Sequence, residues 1–222
     1  MQRRFDGPVV EANGVAGPIA WERTEARFPR DLFDSWLECM TRPYEFFGRL
    51  DPRASAARPL FFFLVFWVLG GGLGTLTTQA TIGGWYADQL ASAGEAAPGL
   101  TWYVFMFFLS PFIGSAALAL YIGLTHLGVR LFVRGARPIG ITGRGLCYVS
   151  APQVVAVVPI VGWFAASLWS LFLAVVSVQR LHHTTTGRAV AAVLVPQLAF
   201  WFGLSMVFVM FIVLLAVAAG GV

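Results

Sequence analysis

The chain has 222 residues, of which 58% are hydrophobic and 12% charged, where a soluble domain carries about a quarter charged. The charge is segregated: residues 1–58 hold nine arginines and nine acids, and residues 59–222 hold six arginines and two acids, Asp88 and Glu95. This balance excludes a soluble globular fold, and the apolar runs hold no carboxylate for an embedded acid/base pair or a proton path.

Residues 1–28 show no apolar periodicity and read as a disordered cytoplasmic tail. The next stretch, "RDLFDSWLECMTR" (30–42), places Leu32, Phe33, Trp36, Leu37 and Met40 on one helical face. Asp31, Asp34, Ser35 and Glu38 fall on the other face. Surface-binding helices prefer Lys and Arg on their polar side. This one is therefore expected to dock on the protein's own arginine loops or on a cytoplasmic protein partner, through residues 29–50. A second short helix follows Pro43, with Tyr44, Phe46, Phe47 and Leu50 as its apolar side. Residues 29–58 are thus an amphipathic, cytoplasmic or interfacial segment ahead of a membrane domain, 59–222.

Five spans are expected in that domain, at about 59–81, 101–129, 146–161, 163–179 and 189–219. No apolar stretch precedes the first, which is expected to act as its own targeting signal. The third and fourth form a hairpin turned at "PIVGW" (159–163). With the N-terminus cytoplasmic and the C-terminus outside, all 15 arginines fall on one side. Trp85, Tyr86, Trp102 and Tyr103 then bracket the outer loop, where an aromatic belt belongs. The expected class is all-α: a polytopic membrane protein with a five-helix transmembrane bundle and a cytoplasmic N-terminal amphipathic segment.

A phrase recurs at a 44-residue interval. "TGRGLCYVSAPQ" (142–153) and "TGRAVAAVLVPQ" (186–197) share Thr, Gly, Arg, Val, Pro and Gln. Arg144 and Arg188 mark the cytoplasmic entry of the third and fifth spans, with Thr-Gly able to cap each start. Eight residues further in, roughly 12 Å, Pro152 and Pro196 each remove a backbone donor and push on the carbonyl four residues earlier, that of Tyr148 or Ala192. A freed carbonyl in lipid needs a partner, and Gln153 and Gln197 are the nearest side-chain amides. The spacing predicts two parallel helices kinked at one depth. Packing alone is one reading of that arrangement; a midplane binding site built from interrupted helices is the other.

Gly70 and Gly74 form a GxxxG pattern on span one, and Ser115, Ala119 and Gly123 a small-residue stripe on span two. The two stripes are expected to pack, against each other or across a homo-oligomer. His126, His182 and His183 lie at cytoplasmic ends of their segments. With Cys147 they match no zinc spacing, and no metal, cofactor or nucleic-acid partner is expected. Cys39 and Cys147 both face the reducing cytoplasm, so no disulfide is expected.

Several stretches resemble the Yip-domain family (Ypt/Rab-interacting membrane proteins) in its short bacterial form. They are "TRPYEFFGRLDP" (41–52), "SAPQVVAVVPIVGW" (150–163), "VQRLHHTTTGRA" (178–189) and "VLVP" (193–196). The spacing of His182 to Arg188 fits the family's loop. The resemblance implies five spans, a cytoplasmic N-terminus and an outward C-terminus in a bacterial inner membrane. It also implies a trafficking-like role without enzymatic activity. The family's Asp-Leu-Tyr-Gly-Pro segment survives only as Asp31-Leu32, so GTPase binding does not carry over. Two functions are expected: a membrane-organising scaffold that recruits a partner through its N-terminal helices, or a passive carrier or channel for a small neutral or weakly polar solute at Gln153 and Gln197.

Overall fold

The computed structural model describes residues 17–51, 53–94 and 98–219, and all regular structure among them is helical. Residues 1–16 of the expected tail, and Glu95, lie outside the described residues. Four helices are long and apolar enough to cross a membrane: Ala57–Trp85, Thr101–Phe132, Val161–Leu181 and Thr186–Leu214.

Within the described residues, the N-terminal segment 17–51 packs onto the bundle. A short 3-10 turn, Ala20–Glu22, buries Ile19 and Trp21. Helix α1 (Arg30–Thr41) and helix α2 (Pro43–Gly48) follow, separated where Pro43 cannot continue α1. The buried face of α1 is rotated from the expected one. Leu32, Ser35 and Cys39 point inward, while Phe33 and Leu37 are 57% and 46% exposed. Ser35, assigned to the polar face by periodicity, instead accepts a hydrogen bond from the Trp21 amide at 2.9 Å. Tertiary pairing with a non-periodic segment decided which side turned in. Of the expected apolar side of α2, Phe46, Phe47 and Leu50 are buried and Tyr44 is exposed, and Phe46 meets Tyr148 edge-on at 5.0 Å.

The first long helix is α3 (Ala57–Trp67), a π-helical turn over Val68–Gly72, and α4 (Leu73–Ser92). It runs eleven residues past the expected exit at 81, so Trp85 and Asp88 are helical. The remaining helices are α5 (Leu100–Phe132), α6 (Ile139–Tyr148), α7 (Val161–Leu181) and α8 (Thr186–Ala219). Helix α8 packs on α5 and α7 through its N-terminal half, where Ala189, Ala192 and Val193 are fully buried. From Trp201, whose ring also borders a cavity, to Leu214 its residues are exposed, as those of a helix apolar on all sides are in lipid.

The expected third span is not a continuous helix. Helix α6 ends at Tyr148, the chain tightens into a 3-10 helix over Ala151–Val157, and Ile160 turns it with φ 62° into α7. Pro152 begins the break by removing a donor. Pro159 then forces Val158 into an extended conformation (ψ 114°). Between the two prolines, Val154, Val155 and Val157 are poor helix formers. Pro196 is followed instead by Gln197, Leu198, Ala199 and Phe200, with no second proline, and α8 passes through it without interruption. The repeated phrase therefore makes two different backbones, not a matched pair of kinks.

Candidate functional site

The broken segment is held by its neighbours, not by the glutamines. The Tyr148 carbonyl accepts from the Cys39 thiol at 3.6 Å, and the Ala151 carbonyl from Trp36 Nε1 at 2.8 Å. Burial pushes the Cys39 thiol well above its usual range, so it stays protonated and able to donate. Further along, the Val157 carbonyl accepts from Thr77 Oγ1 at 2.7 Å. Two donors from α1 thus satisfy the carbonyls that the break exposes, as an apolar surrounding demands. The expectation that Gln153 and Gln197 would do this is corrected. The Ala192 carbonyl, four residues before Pro196, lies where a Cβ on Gly128 of α5 would overlap it. That close backbone approach is of the kind glycine permits between helices.

Gly70 and Gly74 lie against this segment as well. A Cβ on Gly70 would overlap the Gln153 carbonyl, and one on Gly74 would stand 2.7 Å from the Ala156 carbonyl. The π turn and its glycines thus seat the 3-10 helix. Span two's stripe does not take that place. Ala119 and Gly123 are exposed, nothing stands near a Cβ on Gly123, and Ser115 donates to the Pro111 carbonyl of its own helix.

Above the seated segment is a cavity of about 470 Å³, walled by α3, α5, α7 and α8. Gln153 and Gln197, 44 residues apart in the chain, both line it, with Ser150 and Ser170. Trp67, Tyr121 and Trp201 supply much of its apolar wall. No charged side chain lines it. Gln197 Nε2 reaches Thr125 Oγ1 at 3.4 Å, and Ser170 Oγ has no hydrogen-bond partner among the described residues. Pro152 and Pro196 are buried beside their glutamines.

At the arginine-bearing rim, Arg144 is not a surface marker. It is 4% exposed, five residues into α6, and its Nη2 donates to both carboxylate oxygens of Glu22 at 2.8 and 2.7 Å. Its Nη1 donates to the carbonyls of Ala54 and Ser55, the latter at 2.6 Å. Tyr148 donates its hydroxyl to Glu22 at 2.9 Å. Burial pushes the Glu22 carboxyl above its usual range, against the pull of Arg144 and Tyr148. Arg188, its counterpart in the repeat, is exposed.

Thr142, two residues before Arg144, ties α5 to the end of α7. Its hydroxyl lies 3.0 Å from His126 Nδ1 and 2.9 Å from His182 Nε2, while the Arg137 amide donates to His182 Nδ1 at 3.3 Å. Burial, with His126, Arg137 and His183 nearby, lowers the His182 pKa from 6.5 to about 4. The unfolded chain then binds more protons than the folded one between those values, so stability falls as pH drops from about 6.5 toward 4. Glu22, with its raised pKa, acts in the opposite sense near the bottom of that window. The readout is therefore the difference between wild type and His182→Gln: melting scans should show the steeper acid loss in wild type. Among the described residues, no three His, Cys, Asp or Glu side chains form a metal-ligand group.

Sequence reasoning missed Glu22 and Ser170, and the hydrogen bonds that Trp36 and Cys39 donate, because these depend on contacts between distant segments. It did single out both glutamines. No family model, no curated protein and no solved structure matches this chain.

Proposed function

We propose that this chain is a five-crossing membrane protein whose bundle binds, and passively carries, a small neutral or weakly polar solute. The fifth crossing is the broken segment. Thr142 is tied to His182, so α6 begins at the rim where α7 ends. Ten α residues and seven 3-10 residues rise roughly 29 Å, and the 21 residues of α7 roughly 31 Å. The arginine distribution supports a cytoplasmic N-terminus, an outward C-terminus and, with the Yip-type resemblance, a bacterial inner membrane.

The observation that carries the functional reading is the convergence of Gln153 and Gln197 on one cavity. Its volume lies within the usual range for small-molecule sites. Two amides, the unpartnered Ser170 hydroxyl and aromatic walls suit a neutral ligand with an apolar body. The absence of charge in the lining favours passive movement over ion coupling. Liposomes containing the protein are expected to swell in at least one neutral solute, such as glycerol, urea or a short diol, faster than empty liposomes. Losing two hydrogen bonds of about 1 kcal/mol each should slow a Gln153→Leu/Gln197→Leu variant roughly tenfold or more. No swelling with any solute, or equal rates for both proteins, defeats the carrier reading.

A second reading, the Yip-type partner-recruiting scaffold, is favoured by the outward Phe28, Phe33 and Leu37 of the N-terminal segment. The inward face of α1 is already occupied by the bundle, so a partner would have only this outer face. Equal swelling by both proteins returns the function to that surface.

A further inference from the structure

The relay through Thr142 ends at a guanidinium. The Arg137 amide donates to His182 Nδ1, and Arg130 Nε donates to His126 Nε2 at 3.4 Å. The Thr142 hydroxyl oxygen has two lone pairs and can accept from His182 Nε2–H and His126 Nδ1–H together. Each contact then pairs a donor with an acceptor, and His126 holds the Arg130 side chain at the rim.

The same arginine borders a second cavity, of about 460 Å³, at the turn between α5 and α6. Arg134 and Arg188 line it too, and Gly135, at φ 74°, lets the loop fold back around it. None of the three arginines has an ion-pair partner among the described residues. Guanidinium groups converging on one space match the geometry of phosphate oxygens.

We propose that Arg130, Arg134 and Arg188 form a binding site for a phosphate group. Two sources share this chemistry: the headgroup of an anionic phospholipid, and free phosphate. The outward faces of Leu127 and Leu131 beside the site give an acyl chain an apolar surface to follow.

The test uses the full-length protein in neutral detergent. Phosphatidylglycerol and phosphatidylcholine retention is measured by native mass spectrometry, and inorganic phosphate binding by titration calorimetry. The site variant Arg130→Gln/Arg134→Gln/Arg188→Gln is compared with wild type. A charge-matched control, Arg27→Gln/Arg30→Gln/Arg42→Gln, is measured beside them. Preferential retention of phosphatidylglycerol with no phosphate binding identifies a lipid site, and binding of inorganic phosphate identifies a free-ion site. In either case the site variant should lose at least tenfold in affinity and the control should lose little. If the site triple fails to fold, Arg134→Gln alone, exposed and outside any helix, carries the comparison. Absence of both ligands, or equal loss in the site and control variants, overturns the proposal.

Discussion

Replacing Glu22 with alanine should destabilise the protein by about 3–5 kcal/mol, the usual penalty for stranding one member of a buried ion pair. Arg144 and Glu22 are 4% and 7% exposed, so water cannot replace the lost carboxylate. Tyr148 loses its acceptor at the same time, and Arg144 Nε is already without a partner among the described residues. The effect belongs to the stranded charge, not to the pair's net worth. A Glu22→Gln/Arg144→Met double variant leaves no buried charge and should recover most of the loss. Thermal unfolding in detergent measures the stability. Limited trypsinolysis measures the local consequence: cleavage after Arg23 and Arg27 should accelerate in Glu22→Ala and return toward wild type in the double variant. A Glu22→Ala protein that melts with wild type shows that the pair does not hold residues 17–28 to the bundle.

That contact also marks the limit of the sequence. The bundle was legible because burial in lipid needs only long apolar runs between polar ends, and those are additive along the chain. Gln153 and Gln197 were legible for a similar reason: a polar side chain next to a proline in an apolar run stands out locally. Residues 17–28 gave no such signal. A 3-10 turn followed by a loop has no period, and the value of Trp21 and Glu22 lies in what they meet elsewhere: Ser35 of α1, Arg58 and Phe61 of α3, and Arg144 and Tyr148 of α6. The same holds for Trp36 and Cys39. Periodicity placed Trp36 on an apolar face, yet its polar Nε1–H is what reaches the broken segment.

The repeat misled for a physical reason. Two identical Thr-Gly-Arg starts and two Pro-Gln pairs imply equal backbones only if the flanking residues and neighbours are equal. They are not. The valines and Pro159 after Gln153 disfavour helix, and α1 donors wait for the carbonyls that appear when helix is lost. After Gln197 neither condition holds. The two glutamines reach one cavity from a 3-10 segment on one side and an α-helix on the other.

Gly70 is where the seat of that 3-10 segment can be tested most directly. Gly70→Ala puts a methyl group onto the Gln153 carbonyl, and that carbonyl is backbone, not a side chain that can swing away. The segment has little room to retreat, because Trp36 of α1 holds its Ala151 carbonyl and Thr77, on the same helix as Gly70, holds its Val157 carbonyl. Overpacking of this kind costs about 1–3 kcal/mol. On the proposed carrier reading, the expected loss of transport is larger than the loss of stability, since the displaced residue is Gln153 itself. Solute entry should fall to the level of Gln153→Leu/Gln197→Leu while most of the protein remains folded at room temperature. Gly123→Ala is the control: its Cβ meets open space on an exposed helix face, and alanine's better helix propensity should raise stability by up to about 1 kcal/mol. If Gly70→Ala carries solute as wild type does, then either the π turn does not seat the broken segment, or the segment's position does not matter to the cavity. If Gly123→Ala loses as much stability as Gly70→Ala, span two's outer stripe is a packing face after all, occupied by a second copy of the chain.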